Sequence, residues 1–216
     1  MRKIGFLFDL DGVILDSEPQ YDIFWGNQFL KAYPQNPELH RAIKGQTLTE
    51  IFNRFFPDVA TQEQITRELN DYERNMPMPW VEGFPYFARE INSAGHLSCI
   101  VTSSNQPKMR SVYAQHPELR QLVSRQVTSE DFHESKPSPE CYLMGMQRLG
   151  LEPARCIAFE DSVNGLKSAH AAGVRVVGLA TSLTVEQIED LHLADLIIPD
   201  FKKITVPELI SALKMQ

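Results

Sequence analysis

Six short apolar runs punctuate the chain, at residues 3–7, 97–101, 126–128, 156–159, 174–179 and 196–198. They are continuous rather than alternating, which is the pattern of strands buried on both faces, and each is too short to be a helix. Helix-like segments fill the gaps among the last five. That β-α alternation predicts right-handed crossovers and an α/β, doubly wound (Rossmann-like), mostly parallel sheet with helices on both faces. The stretch between the first two runs is different. Tyr21, Phe24, Trp25 and Phe29, then Leu48, Ile51, Phe52 and Phe55, then Ile65, Leu69 and Tyr72 recur at helical spacing, with no strand-like alternation. Asp16 or Ser17 can cap the first of these helices and Pro19 suits its first turn, while Pro77, Pro79 and Gly83 mark a linker back. The pattern predicts an α-helical cap domain at residues 16–80, inserted into a core made of residues 1–15 and 81–216.

Composition narrows the function. The 216 residues are 43% hydrophobic and 23% charged, ordinary globular material sufficient for one α/β domain and a smaller insert. A net charge of -7 disfavours bulk nucleic-acid binding, so any phosphate recognition has to come from a local positive site. Cys99, Cys141 and Cys156 are odd in number and lack metal-ligand spacing, which predicts reduced core thiols and a cytoplasmic location. No run approaches the roughly eighteen apolar residues of a membrane span, and Asp9 and Asp11 interrupt the N-terminal run before it reaches signal length. A soluble monomer without membrane or nucleic-acid partners is expected.

The candidate chemistry sits where the strands end. Asp9 and Asp11 follow the first, Thr102, Ser103, Ser104 and Asn105 the second, Lys136 the third, and Glu160, Asp161 and Ser162 the fourth. Each group has a bland reading as a turn, a helix cap, a surface lysine or a helix start at its positive dipole end. Their joint placement at carboxyl ends of successive strands is harder to explain structurally, because those ends converge on the ligand-binding edge of such a sheet. Together they suit phosphoryl transfer. Mg²⁺ takes hard oxygen ligands, which Asp9, Asp161 and a backbone carbonyl near Asp11 can supply. Lys136, Thr102 and Ser103 can neutralise the oxygens of a transferring phosphoryl group. Attack by a carboxylate divides the reaction into two easier steps, with Asp11 moving the proton in each.

These motifs, FDLDGV at 8–13, IVTSS at 100–104, KPSPE at 136–140 and FEDSVNG at 159–165, resemble those of the haloacid dehalogenase superfamily, in its subgroup with a helical cap after the first motif. The resemblance covers essentially the whole chain. It implies a nucleophilic Asp9, an acid/base Asp11 whose backbone carbonyl ligates Mg²⁺, a phosphate-binding Thr102, a Lys136 beside them, metal-binding Glu160 and Asp161, and a cap that closes over the substrate. Within the subgroup, Asp11 with Glu160 and Asp161 argues against the metal-free dehalogenases, and the setting of Lys44 argues against the phosphonate hydrolases that use a cap lysine as a Schiff base. β-Phosphoglucomutase-like mutases are a closer alternative. Tyr21 stands where such a mutase has a histidine, and Leu48 where it presents an arginine to the distal phosphate, so hydrolysis is expected over mutation. Tyr21, Trp25, Lys44 and Gln46 are expected to face a small phosphorylated metabolite, most simply a sugar phosphate, although Tyr21 and Trp25 at i, i+4 equally suit a helical core. None of the six histidines is assigned a catalytic role. A receiver-like signalling module is too short to match, whereas a non-catalytic phosphometabolite-binding relative is a second alternative.

Overall fold

The computed structural model describes residues 2–43 and 46–215. Along the chain come β1 (Gly5–Phe8), α1 (Glu18–Ala32), a 3₁₀ segment (Pro37–Ile43), α2 (Leu48–Phe55), α3 (Val59–Asn75), α4 (Phe84–Ser93) and β2 (Leu97–Val101). They are followed by α5 (Gln106–Gln115), α6 (Leu119–Leu122), β3 (Arg125–Val127), α7 (Glu140–Leu149), β4 (Cys156–Glu160) and α8 (Val163–Ala171). The last elements are β5 (Arg175–Leu179), α9 (Val185–Leu191), β6 (Leu196–Ile198) and α10 (Val206–Ala212). All six strand candidates form strands, the second and the last with the expected ends and the others with ends shifted by at most two residues.

The strands make one parallel sheet in the order β3-β2-β1-β4-β5-β6. Strand β1 is central, its Gly5–Phe8 lying opposite Leu97–Ile100 on one side and Cys156–Phe159 on the other. The chain winds outward from β1 in both directions, so the crossovers part beyond the carboxyl ends of β1 and β4 and leave a crevice there. Alternate residues of the strands feed two cores. Phe6, Phe8, Ile100 and Phe159 pack with Phe84, Phe87, Ile91, Met109 and Leu209 on one face; Leu7, Cys99, Val101, Ala158 and Val176 pack with Cys141, Tyr142, Leu166 and Ile188 on the other. All three cysteines are buried free thiols.

Helices α1 to α3 bury a cluster of their own, built on Phe24, Trp25, Phe29, Ile51, Phe52, Phe55, Phe56, Ile65 and Leu69. Phe29 is fully buried and meets Phe55 and Phe56 edge-on at 5.1 and 5.2 Å. The helical insertion is joined to the core by two paired strands of chain rather than by a loose linker. The Asp16 amide donates to the Pro79 carbonyl at 2.8 Å and the Val81 amide to that of Ile14 at 3.0 Å. The His116 ring rests 4.2 Å from that of Trp80, with Nε2 2.6 Å from the Met78 carbonyl. The sequence signals a turn here through its prolines, but the pairing depends on a segment sixty residues away in the chain. No helix among the described residues is long and apolar enough to cross a membrane.

Candidate active site

Strand β1 delivers Asp9 to the crevice, and the loop after β3 brings Lys136 beneath it. The Lys136 ammonium donates to Asp9 Oδ1 at 2.6 Å, to Glu160 Oε1 at 2.6 Å and to the Val101 carbonyl at 3.2 Å. All three of its donors are therefore used, which is what a lysine only 2% exposed requires. Glu160, fully buried at the end of β4, also accepts from the Tyr142 hydroxyl at 2.6 Å. Asp161 follows it at the cavity floor, where it accepts from the Ser182 hydroxyl. Gly12 makes that position accessible. Its φ is +74°, and a Cβ there would lie 1.9 Å from Asp161 Oδ2, so only glycine lets the first loop pass so close to the acid.

Two carboxylates thus share one ammonium, and a third, Asp161, stands beside them without a cation of its own in contact among the described residues. Ligand oxygens of Asp9, Glu160 and Asp161 lie within 4.8 Å of one another. Burial pushes the Asp9 carboxyl up to about 7, against the pull of Lys136 and with further repulsion from Glu160 and Asp11. Asp161 is also driven well above its ordinary value by burial, then by Glu18, Asp9 and Glu160. Lys136 is disfavoured by burial, but Asp9 and Glu160 outweigh that and hold it above its ordinary value. The deficit of positive charge and the all-oxygen donor set fit a hard divalent cation such as Mg²⁺.

A pH dependence follows. A carboxyl whose folded pKa is raised binds more protons folded than unfolded between its two values, so its stabilising contribution is fully present below about pH 4 and is lost as pH rises through about 7. In EDTA, the melting temperature of the wild type should fall relative to Asp9→Asn between pH 5 and 7.5. A hard divalent cation held by these acids would shrink that gap, because it would stabilise the charged form in the folded state alone. A gap independent of both pH and metal would refute the charge assignment.

Asp11, two residues on, lies among different partners. Its Oδ1 accepts from the Ser17 hydroxyl, and its Oδ2 from Ser104 Oγ at 3.2 Å and from the Lys108 ammonium. Ser17 occupies the N-cap position of α1 as expected, but its side chain makes no capping bond and is spent on Asp11 instead. Thr102, 1% exposed, accepts from the Ser104 amide at 3.0 Å, so it shapes the turn as well as facing the cavity. Asn105 lines the cavity too, yet its side chain caps α5 by accepting from the Lys108 amide at 3.0 Å. Ser103 lies between them on the same wall.

A cavity of about 440 Å³ extends from Asp9, Asp11, Lys136 and Asp161 up to the helical insertion. Tyr21, Trp25, Gln46 and Leu48 line its upper part. Tyr21 and Trp25 combine both sequence readings, since Trp25 is 6% exposed within the insertion's own core and still contributes to the wall. The Gln46 side chain donates to the Ala42 carbonyl at 2.8 Å. Lys44 lies outside the described residues. Sequence reasoning missed Lys108, Tyr142 and Ser182; it singled out Ser17 only as a helix cap and Ser104 only as one of the polar residues after the second strand, not as partners of Asp11. Of the three missed, only Lys108 carries a local signal, a cation in the first turn of a helix, at the unfavourable end of its dipole.

An inserted helical cap over a doubly wound sheet, with two carboxylates after β1 and a lysine and further acids after β3 and β4, defines a phosphoryl-transfer type of hydrolase. Residues 6–179 match the model of the family described as haloacid dehalogenase-like hydrolase, and the chain belongs to that family. It is an enzyme, a phosphoric monoester hydrolase of that type. It is 31% identical to hexitol phosphatase A of Escherichia coli, over 95% of each chain. Fructose-1-phosphate phosphatase YqaB of Escherichia coli is 26% identical, over 82% of this chain and 96% of that one. The solved structure of a putative β-phosphoglucomutase from Bacteroides vulgatus superposes with a TM-score of 0.81 at 22% identity, covering 98% of this chain and 90% of that one, and shares the fold.

Proposed function

We propose that the protein is a Mg²⁺-dependent phosphatase of small phosphorylated polyols or sugars, acting through a phosphorylated Asp9. The observation that carries this reading is the Asp9 carboxylate, 2.6 Å from a fully engaged Lys136, in the wall of a half-open cavity that reaches up to the helical insertion. Asp9 and Asp161 would hold the cation together with the Asp11 backbone carbonyl. Glu160 stands within reach of the same ion, though its Oε1 already accepts from Lys136 and Tyr142. When bound, the cation supplies positive charge against the phosphoryl oxygens.

A carboxylate oxygen of Asp9 attacks phosphorus and the ester oxygen departs, taking a proton from Asp11. Water then attacks the same phosphorus and passes a proton to Asp11, the phosphorus–Asp9 bond breaks, and inorganic phosphate leaves. Thr102 and Ser103 bind the phosphoryl oxygens, Lys136 holds Asp9 in place and lends its positive charge to the transferring group, and residues 16–80 act as a cap that excludes bulk water. Tyr21, Trp25, Gln46 and, from the sequence, Lys44 contact the organic part. The apolar Leu48 in the upper wall offers no clamp for a second phosphate, which favours hydrolysis over mutation.

The test is hydrolysis with Mg²⁺ or EDTA across hexitol, hexose and triose phosphates, nucleotides and pyrophosphate, with β-glucose 1-phosphate included. The expected result is EDTA-sensitive release of phosphate, with kcat/KM for hexitol or hexose phosphates at least about tenfold above nucleotides, a ratio worth about 1.4 kcal/mol. Formation of glucose 6-phosphate from β-glucose 1-phosphate would replace the reading with a mutase.

A further inference from the structure

Lys108 is a lysine in an unexpected place. It is 4% exposed, although lysines are seldom buried without a partner, and it occupies the first turn of α5, where the helix dipole opposes a cation. Two contacts account for it. Its ammonium pairs with Asp11 Oδ2, and it lies 4.3 Å from the centroid of the Tyr21 ring, against whose face a cation is attracted. Tyr21 belongs to α1 of the insertion, and its hydroxyl donates at 2.8 Å to Glu73 of α3, itself 5% exposed. A continuous path therefore runs from two helices of the insertion through one core lysine to the acid/base carboxylate.

The turn that builds the phosphate wall also aims this lysine. Asn105 caps α5 by holding the Lys108 amide, three residues after Thr102. With Ser17 on Oδ1 and Ser104 and Lys108 on Oδ2, both oxygens of Asp11 are tied and the plane of the carboxyl group is set. Ser17 and Tyr21 come from the entry to the insertion, Ser104 and Lys108 from the core.

We propose that Lys108 is a positioning residue for the reaction: seated on the Tyr21 ring, it orients the Asp11 carboxyl group toward the oxygen that gains or loses the proton, so that docking of the helical insertion and alignment of Asp11 are one event. It does not touch the phosphoryl group, which Lys136 serves. The inference rests on the proposed phosphatase reading. It predicts a dependence on leaving group, since an alkoxide must receive a proton as it departs whereas p-nitrophenolate leaves readily without one.

The experiment measures kcat and KM separately for Lys108→Met, Lys108→Arg, Tyr21→Leu and Tyr21→Phe, on p-nitrophenyl phosphate and on a hexitol phosphate. For Lys108→Met, kcat on the hexitol ester should fall about 100-fold, the low end of what a proton-transfer group contributes, with KM changed less than threefold. The loss on p-nitrophenyl phosphate should be at least fivefold smaller, and Lys108→Arg should regain part of the rate. Tyr21→Leu should lower kcat in the same sense, Tyr21→Phe much less, and the double variant Lys108→Met/Tyr21→Leu should be less impaired than the product of the two single losses. If Lys108→Met fails to fold by circular dichroism, Lys108→Gln and the Tyr21 pair carry the same comparisons. A raised KM at unchanged kcat would make Lys108 a substrate contact and overturn the proposal; strictly multiplicative losses would overturn the coupling to the insertion. Hydrolysis abolished by Asp9→Asn but untouched at Lys108 would overturn this inference alone, whereas no metal-dependent hydrolysis by the wild type would overturn it together with the phosphatase reading.

Discussion

Asp9→Asn is expected to lower kcat by about 10⁴-fold or more on every phosphate ester the wild type cleaves, the scale seen when a covalent nucleophile is removed. The amide matches the carboxylate in shape but cannot form an acyl phosphate, so the proposed two-step route is closed while Lys136, Thr102 and the cavity stay in place. Substrate binding should survive, with the dissociation constant within a few-fold of the wild type. No hydroxylamine-sensitive label should transfer from a radiolabelled ester. The change should not destabilise the metal-free protein near pH 7, because burial and the neighbouring acids already disfavour a charged Asp9 there. Glu160 remains to hold Lys136 at 2.6 Å. Residual activity within tenfold of the wild type would remove Asp9 from its role, and a variant that is inactive because it unfolds would show as a lowered melting temperature.

Gly165→Ala should be among the most destabilising single-methyl changes in the chain. Within an ordinary helix, glycine to alanine gains about 0.8–1.0 kcal/mol. Here the new Cβ would lie 1.8 Å from Glu160 Oε2 and 2.0 Å from its Cδ. An exposed side chain would swing away cheaply, but Glu160 is fully buried and bound to both Lys136 and Tyr142 at 2.6 Å. Displacing it leaves an ammonium N–H and a buried phenol without their acceptor. Loss of one partner from a buried pair costs about 3–5 kcal/mol, which outweighs the helical gain. A net loss of about 3 kcal/mol corresponds to roughly 6–12 °C in melting temperature for a chain of this size. Thermal and denaturant unfolding would measure it, and a variant as stable as the wild type would mean that Glu160 has another place to go.

The parts of the site legible in sequence are those presented by strand ends. A short apolar run announces a buried strand, and the residue after it lies at the sheet's carboxyl edge whatever else the fold does. Asp9, Thr102 and Asp161 could therefore be grouped without coordinates, and Lys136, in the loop well beyond β3, joined them through its KPSPE motif. Tyr142 could not, because a tyrosine on an amphipathic helix reads as core, and it is core; its hydroxyl matters only because β4 brings Glu160 to it. Ser17 was legible as a helix cap and stands at that position, but its hydroxyl is taken by Asp11, a choice made by the path of the chain after β1.

What the sequence determined by itself was the order of strands and helices, the inserted helical unit and the set of acids and lysine at one edge, since these follow from local periodicity and from the geometry of parallel sheets. Tertiary structure alone decided how those charges are shared. Lys136 is given to Asp9 and Glu160, Lys108 to Asp11 and Tyr21, and Gly12 and Gly165 leave room for Asp161 and Glu160. The ion pairs among these join residues up to 127 positions apart in the chain. Their energies arise from burial, and burial exists only once both faces of the sheet are covered and the helical insertion is seated.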